Sequence, residues 1–276
     1  MISRAINALA RALLMAIMVA LPSLVLPSVS VDGAQITLFV CLLAGIFTFV
    51  EYFSTYPSII EFRDAAPFNR MRYFMAALIV CVLTLLYAGM THASTLIQWV
   101  TVAGVTMGEL LDIPFSPVRL VLLAMPESVD LAMLYMIRDG AALSYAISLV
   151  GILAFYGLVR VYDWPARKGA FNVWVNLPLF DPTTGGDVVP RLRRDGQINI
   201  AIGILLPFLL PALAAIASSM FDLATLFKSQ SYVWSLAAWS FLPASMIMRG
   251  IAMNRIAELI ENKRQRAYAK AAAEQV

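Results

Sequence analysis

Two carboxylates and one guanidinium in an otherwise apolar stretch are the residues best suited to chemistry. Glu109 and Asp112 stand three positions apart, which sets both carboxylates on one face of a helix, and Arg119 follows as a counter-charge. They lie in LIQWVTVAGVTMGELLDIPFSPVRLVLLAMPESVDLAMLYMI, residues 96–137, with Glu127 and Asp130. A charge at the centre of a bilayer costs roughly 3 kcal/mol or more, so ionisable side chains at that depth suggest an ion or proton pathway. The nearby prolines favour a second reading, in which these groups are solvated at a membrane surface where the chain turns back.

A second set of residues suits recognition. Between 53 and 72, Arg63 and Arg70 are interspersed with Phe and Tyr; between 160 and 196, Trp164, Phe171, Trp174 and Phe180 precede Arg191, Arg193 and Arg194. Aromatic rings and arginines anchor protein interfaces. Position next to a membrane also explains them, since aromatic belts and positive loops are general features of membrane proteins and each basic residue gains about 1 kcal/mol from anionic headgroups. The longer segment carries too much aromatic area for a disordered linker, so it is expected to be ordered and to bury its rings against helix ends or a partner.

Patterns for catalysis are missing. The single histidine, His92, cannot form a multi-histidine metal or haem site. There is no Gly-x-Ser-x-Gly elbow and no His-Glu-x-x-His helix, and Gly185-Gly186-Asp187 lacks the Lys and Ser/Thr of a phosphate loop. No cofactor is expected. Cys41 and Cys81 sit inside apolar runs and behave as small hydrophobes.

The elements that position these residues follow from composition. Of 276 residues, 61% are hydrophobic and 13% charged, and mean hydropathy is +0.80, whereas a soluble domain is about 25% charged. The chain is expected to be an all-α polytopic membrane protein. Apolar runs place spans at 8–29, 34–52, 73–90, 141–159, 198–220 and 232–248. Lys and Arg concentrate at 63–72, 160–194 and beyond 249, which puts these segments and both termini in the cytoplasm. Residues 96–137 must then begin and end on the outer face. Ser116-Pro117 and Pro126-Glu127 are helix starts that cut their second half into pieces of about nine and twelve residues, roughly 13 and 18 Å at 1.5 Å per residue. Both fall short of a ~30 Å hydrocarbon core. The expectation is about six transmembrane helices plus a re-entrant or interfacial helical segment.

Residues 1–255 read as a single membrane domain and 256–276 as a cytoplasmic helical extension. The first apolar run also fits a signal peptide, but its cleavage pattern is poor, so a retained helix is expected. Pro207 and Pro211 interrupt an apolar span without polar company, which suits an ordinary membrane helix better than a transporter's broken one. Arg exceeds Lys and Ala is abundant, a composition that suggests a GC-rich bacterial genome and hence an inner membrane. The leading functional expectation is a non-enzymatic subunit, scaffold or assembly factor of a larger inner-membrane complex, with lipids, other membrane subunits or a cytoplasmic protein as partners and no nucleic acid. The alternative is a small permease or channel subunit for an ion or small solute, with or without a docked soluble partner.

Overall fold

The computed structural model describes residues 2–27, 29–162, 164–165, 176–180, 185–217 and 230–274. Among them are eight helices and no strands: α1 Ile2–Val25, α2 Val31–Phe53, α3 Phe68–Ala88, α4 Thr95–Leu111, α5 Pro117–Leu123, α6 Leu131–Val161, α7 Val188–Ala217 and α8 Gln230–Ala273. Six of these, α1, α2, α3, α6, α7 and α8, are long and apolar enough to cross a membrane. The chain is a multi-pass membrane protein. The 17-residue α4 and 7-residue α5 are not among them; at about 26 and 11 Å both are shorter than a ~30 Å hydrocarbon core, as expected for residues 96–137.

Helix starts are encoded locally. Ser30, Ser94, Ser116 and Asp130 each cap a helix by accepting a backbone N–H three residues on, at distances of 3.0, 3.2, 3.0 and 2.7 Å. Pro117 occupies the first turn of α5, where its missing N–H costs nothing. The second expected start is corrected: residues 126–129 form turns, and α6 begins at Leu131 because the Asp130 carboxylate takes the Met133 N–H. The separate twelve-residue helix is therefore the opening of α6. Likewise, the span expected from Ala141 starts ten residues earlier and includes Arg138 and Asp139.

The helices α3, α6 and α8 form the centre, where Ile79, Leu83, Ile137, Ala141, Leu236, Met248 and Met253 are buried. Packing of α7 on α8 relies on backbone approach. A Cβ on Gly250 would lie 2.5 Å from the Gly196 carbonyl oxygen, and one on Gly203 would lie 2.7 Å from that of Pro243. Small residues let membrane helices gain van der Waals contact where lipid offers no hydrophobic drive. α7 continues through Pro207 and Pro211. Pro211 has no N–H for the Pro207 carbonyl, and the Trp239 indole of α8 donates to that oxygen instead, at 3.1 Å. By contrast, α1 and α2 pack mainly on each other and leave most of their apolar surface outward.

The two ends of the bundle differ. One gathers the starts of α1, α3 and α7, the ends of α2, α6 and α8, and most of the arginines. The other holds α4, α5 and the starts of α2, α6 and α8, tied by the Thr37 hydroxyl donating to the Gln230 carbonyl oxygen across 3.1 Å. α8 is 44 residues long, about 66 Å at the standard rise, or roughly twice a bilayer core. It runs unbroken past residue 256, so the expected extension is the same helix as the last span.

Candidate functional site: a cross-braced end and an outer charge cluster

At the arginine-rich end, the 54–67 connection is folded around buried charges. Glu51, in the last turn of α2, accepts the backbone N–H groups of Ser58, Ile59 and Ile60 at 3.0 to 3.2 Å, and the Ser58 hydroxyl also donates to it. A carboxylate enclosed by successive N–H groups fixes a loop as an anion fixes a backbone nest. Arg63 closes the other side. Its guanidinium donates to the carbonyls of Glu51, Ser54 and Thr55 at 2.9, 2.8 and 3.2 Å, oxygens that α2 leaves open at its end. Glu61 is buried and paired in two-pronged fashion with Arg249 of α8, at 2.5 and 2.7 Å.

The aromatic residues assemble behind this network. Trp164 packs against Phe62, Phe68 and Phe155 at centroid separations of 5.8, 6.1 and 5.3 Å. Its indole N–H donates to the carbonyls of Ala65 and Ala66, and its own carbonyl accepts from Arg255. Asn176 completes the tie, its side chain accepting from the Asp64 N–H at 3.0 Å and its carbonyl from the Phe62 N–H at 2.6 Å. Trp164 is only 4% exposed and Phe180 6%, so these two of the four rings expected as partner anchors are core residues of this chain. The physical reason is tertiary: helix ends brought together at this face from distant parts of the chain offer enough apolar surface to cover them.

The arginines expected on the 160–196 loop lie instead on the first turns of α7, which starts at Val188. Arg191 stacks over the Phe180 ring at 4.8 Å. Arg193 pairs with Glu261 of α8, and Arg194 meets Asp195 at 3.5 Å. Asp187 accepts from Arg264 at 2.8 and 3.0 Å. That guanidinium, helped by the Val189 N–H, holds the Asp187 carboxyl below the usual aspartate range. Of the expected recognition residues, Arg70 is exposed, and Phe171 and Trp174 lie outside the described residues.

At the opposite end the structure joins Asp112 and Arg119 at 2.9 Å, while Glu109 faces outward. The counter-charge expected from sequence is thus in place, but the two carboxylates do not share a buried site. Alongside lies a pair that sequence reading overlooked: Arg138 and Asp139, 2.8 Å apart, beside Gly108 of α4. A Cβ on Gly108 would collide with the Asp139 carboxylate, so glycine is what lets α4 seat on this pair. Its signal was available as two adjacent charges that no loop accounts for. Among the described residues, no three of His, Cys, Asp and Glu gather to hold a metal ion.

Comparison of the chain with protein-family models, with curated proteins and with solved structures gives no match.

Proposed function

We propose that this protein is a non-enzymatic subunit, scaffold or assembly factor of a larger inner-membrane complex, with both termini in the cytoplasm. The observation that carries this reading is the closure of charge within the chain. Glu61 is held by Arg249, Asp112 by Arg119 and Asp139 by Arg138. A coupling-ion pathway needs ionisable groups open to the permeating species, and carboxylates already compensated by arginine serve rigidity better than exchange. The braced end also supports it. Loops that bury their own aromatic rings make a stiff platform from which α8 projects, and its residues 263–273 are exposed. Partners therefore have two surfaces: the outward apolar faces of α1 and α2, and the projecting part of α8.

One observation favours the permease reading. Asp139 is buried inside the membrane domain, and Glu109 of α4 lies within electrostatic reach of it. The two readings separate by experiment. Full-length protein and a variant ending at Glu261 are purified in mild detergent, and co-purifying proteins are identified. The proposal expects defined partners that the truncated but folded chain loses. Purification alone, together with solute flux in proteoliposomes that Asp139→Asn abolishes, establishes the permease instead.

A further inference from the structure

We propose that a cavity between the start of α1 and the end of α2 binds a phosphate-bearing anion. The cavity measures about 460 Å³, within the range of small-molecule sites, and is lined by Arg4, Asn7, Arg11, Tyr52, Arg63 and Asp64, among others. Three guanidiniums thus face one carboxylate. Arg63 is committed to the carbonyls that end α2, and its contact with Asp64 is 3.4 Å with the aspartate 60% exposed. Arg4 spends one N–H on the Ser54 carbonyl. Arg11 lies over the Tyr52 ring, 4.1 Å from its centroid, a contact that fixes the guanidinium plane without neutralising its charge.

Among the described residues neither Arg4 nor Arg11 pairs with a carboxylate. This contrasts with Arg249, Arg119 and Arg138, which are all matched. The first turn of α1 adds to the excess, since it carries no acidic residue and presents the positive end of its helix dipole. Planar guanidiniums held in fixed orientation suit phosphate oxygens, which accept two parallel N–H groups at once. The surroundings favour an amphiphile: Ile6, Leu9 and Leu13 of α1 and Val50 and Phe53 of α2 are exposed on the two helices that form the site. A headgroup seated among the arginines would leave its acyl chains along those faces, as basic pockets between membrane helices hold anionic lipids. A free phosphate offers the same headgroup chemistry without the tails.

The test uses full-length protein, delipidated in mild detergent, with bound species counted by native mass spectrometry. Probes are phosphatidylglycerol, phosphatidylcholine and inorganic phosphate, each titrated against wild type, the double variant R4Q/R11Q and the control R70Q, which alters an exposed arginine outside the cavity. Saturable binding of phosphatidylglycerol over phosphatidylcholine, weakened at least about tenfold in R4Q/R11Q and unchanged in R70Q, identifies a lipid site; tenfold corresponds to one charge-assisted hydrogen bond. The same pattern for inorganic phosphate identifies a soluble anion. If the double variant fails to fold, R11K serves, because it keeps the charge but loses the stacked plane. The proposal is overturned if wild type binds neither anion saturably, if R4Q/R11Q (or R11K in its place) binds as tightly as wild type, or if R70Q loses as much as the cavity variant.

Discussion

Glu61 illustrates how a single side chain is made indispensable by burial. It is 7% exposed, and its compensation is the Arg249 guanidinium brought from 188 residues away. Removing one member of a buried ion pair leaves the other charged in a poor solvent, which costs about 3–5 kcal/mol. Glu61→Ala should therefore lower the midpoint of thermal unfolding in detergent far more than Arg70→Ala does, and E61A/R249M should recover part of the loss. Trp164 belongs to the same scale. Trp164→Ala is expected to cost about 3–5 kcal/mol by cavity formation, and to act on stability itself before any partner is lost. If unfolding curves of wild type and Trp164→Ala coincide, the ring is not a core residue. Asp187 gives a smaller, pH-dependent effect. Its folded carboxyl titrates below its unfolded value, so the contribution is complete above the unfolded pKa of ~3.9 and disappears as pH falls through the lower folded value. Asp187→Asn should flatten the acid limb of the stability profile there, its small loss of stability at neutral pH fading as the pH falls through that window.

For the elements, the α7–α8 pair is the sensitive contact. Gly196, Gly203 and Gly250 keep the two backbones close, and a methyl group at Gly250 must displace both the Gly196 carbonyl and Ile200. Overpacking of this kind costs typically about 1–3 kcal/mol. A methyl group at Gly157 of α6 would meet nothing within 4 Å, so Gly157→Ala is the matched control. Gly250→Ala should lower thermal stability while Gly157→Ala leaves it unchanged or raises it slightly; equal effects would mean that helix propensity, and not close approach, sets the outcome. The short helices answer to a different rule. α4 and α5 stay at one end of the bundle because Asp112, Ser116 and Pro117 stop and restart the chain before it can cross.

Across the whole molecule, the arginine-rich end should face the cytoplasm. After replacement of Cys41 and Cys81, single cysteines at Arg70 and Lys263 are expected to react with impermeant reagent only when the cytoplasmic face is open, and those at Asp32 and His92 only from the other side. Labelling of Arg70→Cys and Asp32→Cys from the same face would contradict six crossings.

Sequence by itself determined the class and the count of this protein's spanning helices, because both depend on local quantities. About twenty consecutive apolar residues span a bilayer, Ser and Asp side chains reach nearby N–H groups, and arginines sort by side of the membrane. It offered Arg119 as a counter-charge to Glu109 and Asp112 together, in the ion-pathway reading, and the structure joins it to Asp112, seven positions away across one turn. Tertiary structure alone decided the rest. That Glu61 meets Arg249, that Trp164 nests among Phe62, Phe68 and Phe155, and that Arg4 and Arg11 reach one cavity all depend on which helices are neighbours. No periodicity encodes that. Aromatic rings near a membrane surface look alike whether they await a partner or are already covered, and the difference lies in apolar area supplied by helix ends distant in sequence. Arg138 and Asp139 were missed for a related reason: a charged pair looks like a boundary until a glycine on another helix admits it to the packed interior.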